Sequence, residues 1–138
     1  MANHSEQTSL SVEQVIERLQ EDYQRFPKDQ SYDLYASEVY FKDPMNEFRG
    51  VGQYRRMIGF IQSWFRQIEM ELHDISKKDA ATVETRWILH LTVPLPWQPR
   101  LSIPGKSELQ IDQSGLIVSH VDYWDLPRWR VAMQLFES

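Results

Sequence analysis

The chain has 138 residues, of which 41% are hydrophobic and 25% charged, with a net charge of −5 and no cysteine. That composition supports a packed core and excludes a disordered polypeptide, while the acidic balance excludes the basic groove of a nucleic-acid-binding domain. Without cysteine there are no disulfides, thiolate nucleophiles or zinc–cysteine sites.

The N-terminus, MANHSEQTS, is polar and lacks the apolar core of a secretory signal. Residues 1–9 are expected to be a disordered lead-in, and residues 10–138 a single domain. Ser11 with Gln14 forms a capping box. It starts a helix whose apolar stripe is Val12, Val15, Ile16, Leu19, Tyr23 and Phe26. Pro27 ends that helix. Tyr32 and Tyr35, three apart, predict a short second helix over 30–37. Val39, Tyr40 and Phe41 read as a strand that Asp43-Pro44 terminates, because proline holds the preceding residue extended and offers no N–H. A loop over 45–49 leads to Gly50-Val51-Gly52, which turns the chain into a helix from about Gln53 to Phe65.

Beyond that helix the period changes from helical to two. Ile68, Met70 and Leu72 alternate with Glu69, Glu71 and His73; Ser76–Asp79 reads as a turn. Thr85, Trp87, Leu89 and Leu91 alternate with Glu84, Arg86 and His90, then Leu109 and Ile111 with Glu108 and Gln110. Asp112–Gly115 is a turn between antiparallel strands, followed by a strand over Leu116–Trp124 and a terminal helix over Pro127–Phe136. Four of the seven prolines fall in VPLPWQPRLSIPG, residues 93–105, a stiff connection at the sheet rim. No apolar run approaches the ~18 residues of a membrane helix. The fold class is α+β: one curved, mostly antiparallel sheet whose apolar face is covered by three helices.

Three segments, FKDPMNEFRGVGQYRR (41–56), TRWILHLTVPLPWQP (85–99) and GLIVSHVDYWDL (115–126), carry a resemblance. With the order of elements, they resemble the nuclear transport factor 2-like (SnoaL-like, cystatin-like) superfamily. Within it the chain is similar to an uncharacterised family of photosynthetic organisms, domain of unknown function 2358. The resemblance implies a conical fold, an apolar pocket and frequent dimers. It implies no single activity, because the superfamily hosts isomerases, dehydratases, hydrolases, transport factors and assembly domains.

The resemblance also implies a role for Asp43, since superfamily enzymes can use a carboxylate near this strand exit as general base. Tyr23 is the candidate hydrogen-bond donor to a developing oxyanion, and Tyr123 the alternative. Asp43 can equally serve only its own turn, and Tyr23 can be a core tyrosine. Trp87, Leu89, Leu109 and Val121 are expected to floor the pocket, with Phe41, Asp43 and Trp64 at its mouth and Tyr123 among the ligand contacts.

His73, His90 and His120, with Glu71, Glu84, Glu108 and Asp122, could meet on the polar sheet face. They lack an HxH or HxxxH pair, so no metal and no cofactor is assigned. Arg86 with Glu84 or Asp122 resembles an epoxide-hydrolase arrangement, but its parity points it away from the apolar face. Trp97 is expected either to plug the fold or to meet a partner.

The leading expectation is a cytoplasmic, non-catalytic domain that binds a small apolar ligand or a partner, with neither nucleic acid nor a membrane span. An isomerase or dehydratase using Asp43 is the second, and a homo-oligomeric assembly module, such as a homodimer, the third.

Overall fold

The capping box forms as expected. In the computed structural model, which describes residues 10–137, the Ser11 hydroxyl accepts the Gln14 N–H at 3.1 Å and the Gln14 side chain accepts the Ser11 N–H at 2.9 Å. Helix α1 (Val12–Arg25) buries Val15, Leu19 and Asp22. The lead-in over 1–9 lies outside the described residues.

Asp22 ties α1 to the segment around Ser31. Its two oxygens accept the Ser31 N–H at 3.0 Å and the Ser31 hydroxyl at 2.9 Å. The helix expected over 30–37 is therefore only a 3₁₀ turn (Tyr32–Leu34), and strand β1 (Tyr35–Lys42) begins at once. The reason lies in β-favouring Tyr35, Val39, Tyr40 and Phe41. The loop expected over 45–49 contains a short strand, β2 (Glu47–Arg49), antiparallel to β1, with Phe41 and Phe48 stacked at 4.9 Å between ring centroids. Gly50, at φ 109°, then starts helix α2 (Val51–Trp64).

Strand β3 (Arg66–Asp79) runs through the expected Ser76–Asp79 turn. Its partner is β4 (Thr82–Thr92), so the reversal falls at Ala80-Ala81, where Asp79 accepts the Ala81 N–H at 2.9 Å. Strand β5 (Arg100–Ile111) takes up the second half of the proline-rich segment, and only 93–99 is a connection. Strand β6 (Ile117–Trp124) comes after the 112–115 turn. The chain closes with helix α3 (Arg128–Met133) and a 3₁₀ turn over Gln134–Phe136.

The six strands form one curved sheet in the order β2-β1-β6-β5-β4-β3, with β1 and β6 parallel and every other pair antiparallel. Inward-facing β4 and β5 residues keep strict alternation: Val83, Thr85, Trp87, Leu91 and Ile103, Ser107, Leu109, Ile111 are all buried. Three clusters fill the inner side. Val15, Leu19, Leu34, Val83 and Ile117 form one under α1; Phe41, Tyr54 and Ile58 form another under α2; Trp87, Ile103 and Val131 form the third under α3. Among the described residues no helix is long and apolar enough to cross a membrane.

Strand β6 carries the detail that positions the site. Gln110 pairs with Ser119 and Ile111 with Ile117, so Val118 is an extra residue. This bulge exchanges the faces of everything after it. Ile117 points into the core, and so do His120, Asp122 and Trp124 instead of Val121 and Tyr123.

Candidate functional site

Between the three clusters lies a cavity of about 840 Å³. Its walls are apolar and aromatic: Phe26, Met57, Ile61, Met70, Leu101 and Ile103 join Tyr35, Tyr54, Trp87 and Trp124. Met45, Phe60 and Trp129, all largely exposed, belong to its rim.

Of the residues singled out from the sequence, Tyr23, Asp43, Trp87, Leu89 and Leu109 line this cavity. Four others do not, which corrects the expected pocket. Phe41 is buried one layer behind, against Phe48 and His120. Trp64 is 57% exposed and packs on Phe60 outside the mouth. Val121 and Tyr123 are turned to the opposite sheet face by the bulge, and Tyr123 is 45% exposed beneath Lys106.

The same bulge brings in residues that the period-two pattern had assigned to the polar face. Asp122 Oδ1 accepts hydrogen bonds from the Ser107 hydroxyl at 2.5 Å and from His120 Nε2 at 2.8 Å. Ser107 in turn accepts the Trp87 indole N–H at 2.9 Å. His120 Nδ1 lies 3.3 Å from the Tyr35 hydroxyl, whose single proton is donated to Tyr54. The Tyr54 hydroxyl lies 3.4 Å further on. The signal was present in Ser-His-Val-Asp-Tyr-Trp, a polar-aromatic alternation, but its phase depends on Val118.

Asp43 is half-buried, and its carboxylate serves its own turn. Oδ1 accepts the Met45 and Asn46 backbone N–H groups at 2.7 and 2.6 Å, and the Asn46 side-chain amide reaches both oxygens. Burial raises the Asp43 pKa; those hydrogen bonds oppose the rise and the Asp122 charge adds to it. The Tyr23 hydroxyl is paired with Thr85 Oγ1 at 2.7 Å. Burial pushes the Tyr23, Tyr35 and Tyr54 phenols well above the ordinary tyrosine range, so all three stay protonated hydrogen-bonding groups.

The three histidines are divided between the faces. His90 and His73 share Glu71 on the outer face, at 2.8 and 3.1 Å, while His120 is inside. Among the described residues no group of three His, Cys, Asp or Glu could hold a metal ion. Arg86 is half-exposed and 4.0 Å from Asp125, so neither Glu84 nor Asp122 is its ion-pair partner. The Trp97 indole N–H is donated to the Leu135 carbonyl at 2.6 Å and its ring stacks on Phe136, clasping the terminal turn.

No curated protein matches the chain. Solved structures do. An NTF2-like protein of unknown function from Exiguobacterium sp. 255-15 is 15% identical over 81% of this chain and 98% of its own, with a TM-score of 0.66. A hypothetical protein with a ketosteroid isomerase-like fold from Catenulispora acidiphila, in complex with trimethylamine, is 12% identical over 91% and 93%, with a TM-score of 0.70. SalBIII, an epoxide hydrolase/cyclase-like enzyme of pyran-ring formation in salinomycin, is 17% identical over 85% and 95%, with a TM-score of 0.67. At these identities the likeness is one of fold, and the fold is nuclear transport factor 2-like. The family model for the uncharacterized conserved protein DUF2358 matches residues 13–120, from α1 to the inward-facing His120, and the chain belongs to that family.

Proposed function

We propose that this protein binds a small, mainly apolar molecule in the cavity under its sheet. The observation that carries this reading is the cavity itself. Its volume of about 840 Å³ is in the range of small-molecule sites, and its mainly apolar wall carries one hydrogen-bonded network centred on Asp122. Calorimetric titration with 1-adamantanol, a compact neutral probe, tests it. Saturable binding that Ile103→Trp weakens at least about tenfold, or 1.4 kcal/mol, supports the reading; no binding to the unaltered protein removes it.

A second reading is acid–base catalysis of the isomerase or dehydratase kind. The specific observation in its favour is the His120–Asp122 pair at 2.8 Å facing an apolar space. On this reading Asp122 with His120 is the proton-transfer couple, and Asp43, held by four hydrogen bonds from its own loop, is secondary. Tyr23, whose hydroxyl is paired with Thr85 at 2.7 Å, is the candidate oxyanion donor of this reading. The outer sheet face, with exposed Tyr123 and the His73–Glu71–His90 group, is our candidate homodimer contact. Light scattering that gives a monomer at high concentration contradicts the dimer.

A further inference from the structure

We infer that the molecule this cavity accepts is a hydrophobic amine, held as its ammonium cation by Asp122 with Asp43 and aromatic rings around it. The inference rests on the binding reading above and adds the chemical class of the ligand.

The first argument is charge. Three aspartates line the cavity, Asp22, Asp43 and Asp122, against one arginine, Arg128, and one histidine, His120. Arg128 is exposed and donates to the Pro44 carbonyl at 3.3 Å. Asp22 is already matched by Arg25 at 3.0 Å and by both Ser31 donors. Among the described residues neither Asp43 nor Asp122 has a lysine or arginine within ion-pair distance; the titratable partner of Asp122 is His120, whose Nε2 lies 2.8 Å from Oδ1, and Asp43 has none. A carboxylate facing an apolar space without a cation is costly, and an entering cation relieves that cost.

The second argument is a census of donors and acceptors. Around Asp122 the Ser107 and His120 donors are engaged by Asp122 and the Trp87 indole by Ser107, and Tyr23 and Thr85 share one hydrogen bond, while the Tyr54 hydroxyl accepts from Tyr35 and keeps its own proton. Further along the wall the Asn46 amide is engaged by Asp43, and the Gln30 amide by the Asp22 and Lys28 carbonyls. Asp122 Oδ2 receives no hydrogen bond among the described residues. Among the described residues no buried side-chain oxygen is left without a partner, so Oδ2 is accessible rather than sealed. At Asp122 Oδ2 a ligand carbonyl would bring one more acceptor, whereas an ammonium brings donors.

The third argument is the wall. Tyr35, Tyr54, Trp87 and Trp124 all line the cavity, and aromatic rings attract a cation while accommodating its hydrocarbon part.

The test compares ligands of one shape. The full chain is titrated calorimetrically at pH 7 with 1-aminoadamantane, 1-adamantanol and adamantane-1-carboxylate. The expected result is an amine bound at least about tenfold more tightly than the alcohol, with the carboxylate the weakest. In Asp122→Asn the amine-to-alcohol ratio falls to about one; Asp43→Asn lowers it partly, and the unaltered protein gives the ratio even if a variant fails to fold. If the alcohol binds and the amine binds no better, the amine inference is overturned while the cavity reading survives. If no probe binds, both fall.

Discussion

Ser107 joins the two halves of the cavity's polar network, accepting from the Trp87 indole and donating to Asp122. Ser107→Ala leaves the Trp87 N–H, on a 5%-exposed side chain, without its acceptor and strips a donor from Asp122. The expected cost is about 1–3 kcal/mol, read from urea unfolding; a loss below about 0.5 kcal/mol, the scale of ordinary surface changes, contradicts the network. Asp43 makes a prediction of opposite character. Its pKa is raised, first by burial, so the folded chain keeps that proton to higher pH than the unfolded chain does. Its stabilising contribution is present at low pH, below the usual aspartate value of about 3.9, and is lost as pH rises through the raised value. Asp22, raised by burial as well, acts in the same direction. Asp33, lowered by its hydrogen bonds from Arg18, acts in the other. Asp43→Asn removes one of the falling contributions. The stability of the variant relative to the unaltered protein is expected to rise as pH goes from 4 to 7 in denaturation experiments; a difference that does not change with pH contradicts the assignment.

At the scale of elements, the position of Trp87 depends on Gly105. A Cβ there would stand 2.8 Å from the Trp87 ring and against the Tyr123 carbonyl. Gly105→Ala is expected to destabilise by about 1–3 kcal/mol, as overpacking does, and to displace the Trp87 ring, visible as a shifted indole N–H resonance. An unmoved resonance with unchanged stability contradicts the packing. The legible elements were those whose signals are local. Ser11 and Gln14 announced α1, and the alternation of Thr85, Trp87, Leu89 and Leu91 announced the inner face of β4. What misled was context. Ser76–Asp79 looks like a turn because β3 is an edge strand, whose polar side chains Lys77 and Lys78 pair with Glu13, Glu84 and Glu108. The candidate site was half legible for the same reason. Trp87, Leu89 and Leu109 sit on regular strands, whereas His120 and Asp122 lie beyond a one-residue bulge at Val118. Nothing in the order Ile117-Val118-Ser119 marks that insertion.

At the scale of the molecule, one curved sheet and three helices surround a space they do not fill. Native interiors are close-packed, so an apolar void of this size is a departure that a bound molecule would explain. Methyl NMR on the full chain during titration with 1-adamantanol tests that claim most directly. The account predicts saturable shifts at Leu89, Leu101 and Ile103, which line the cavity, and none at Val121, which faces away. Shifts absent from the cavity methyls, or confined to the outer face of the sheet, would contradict it.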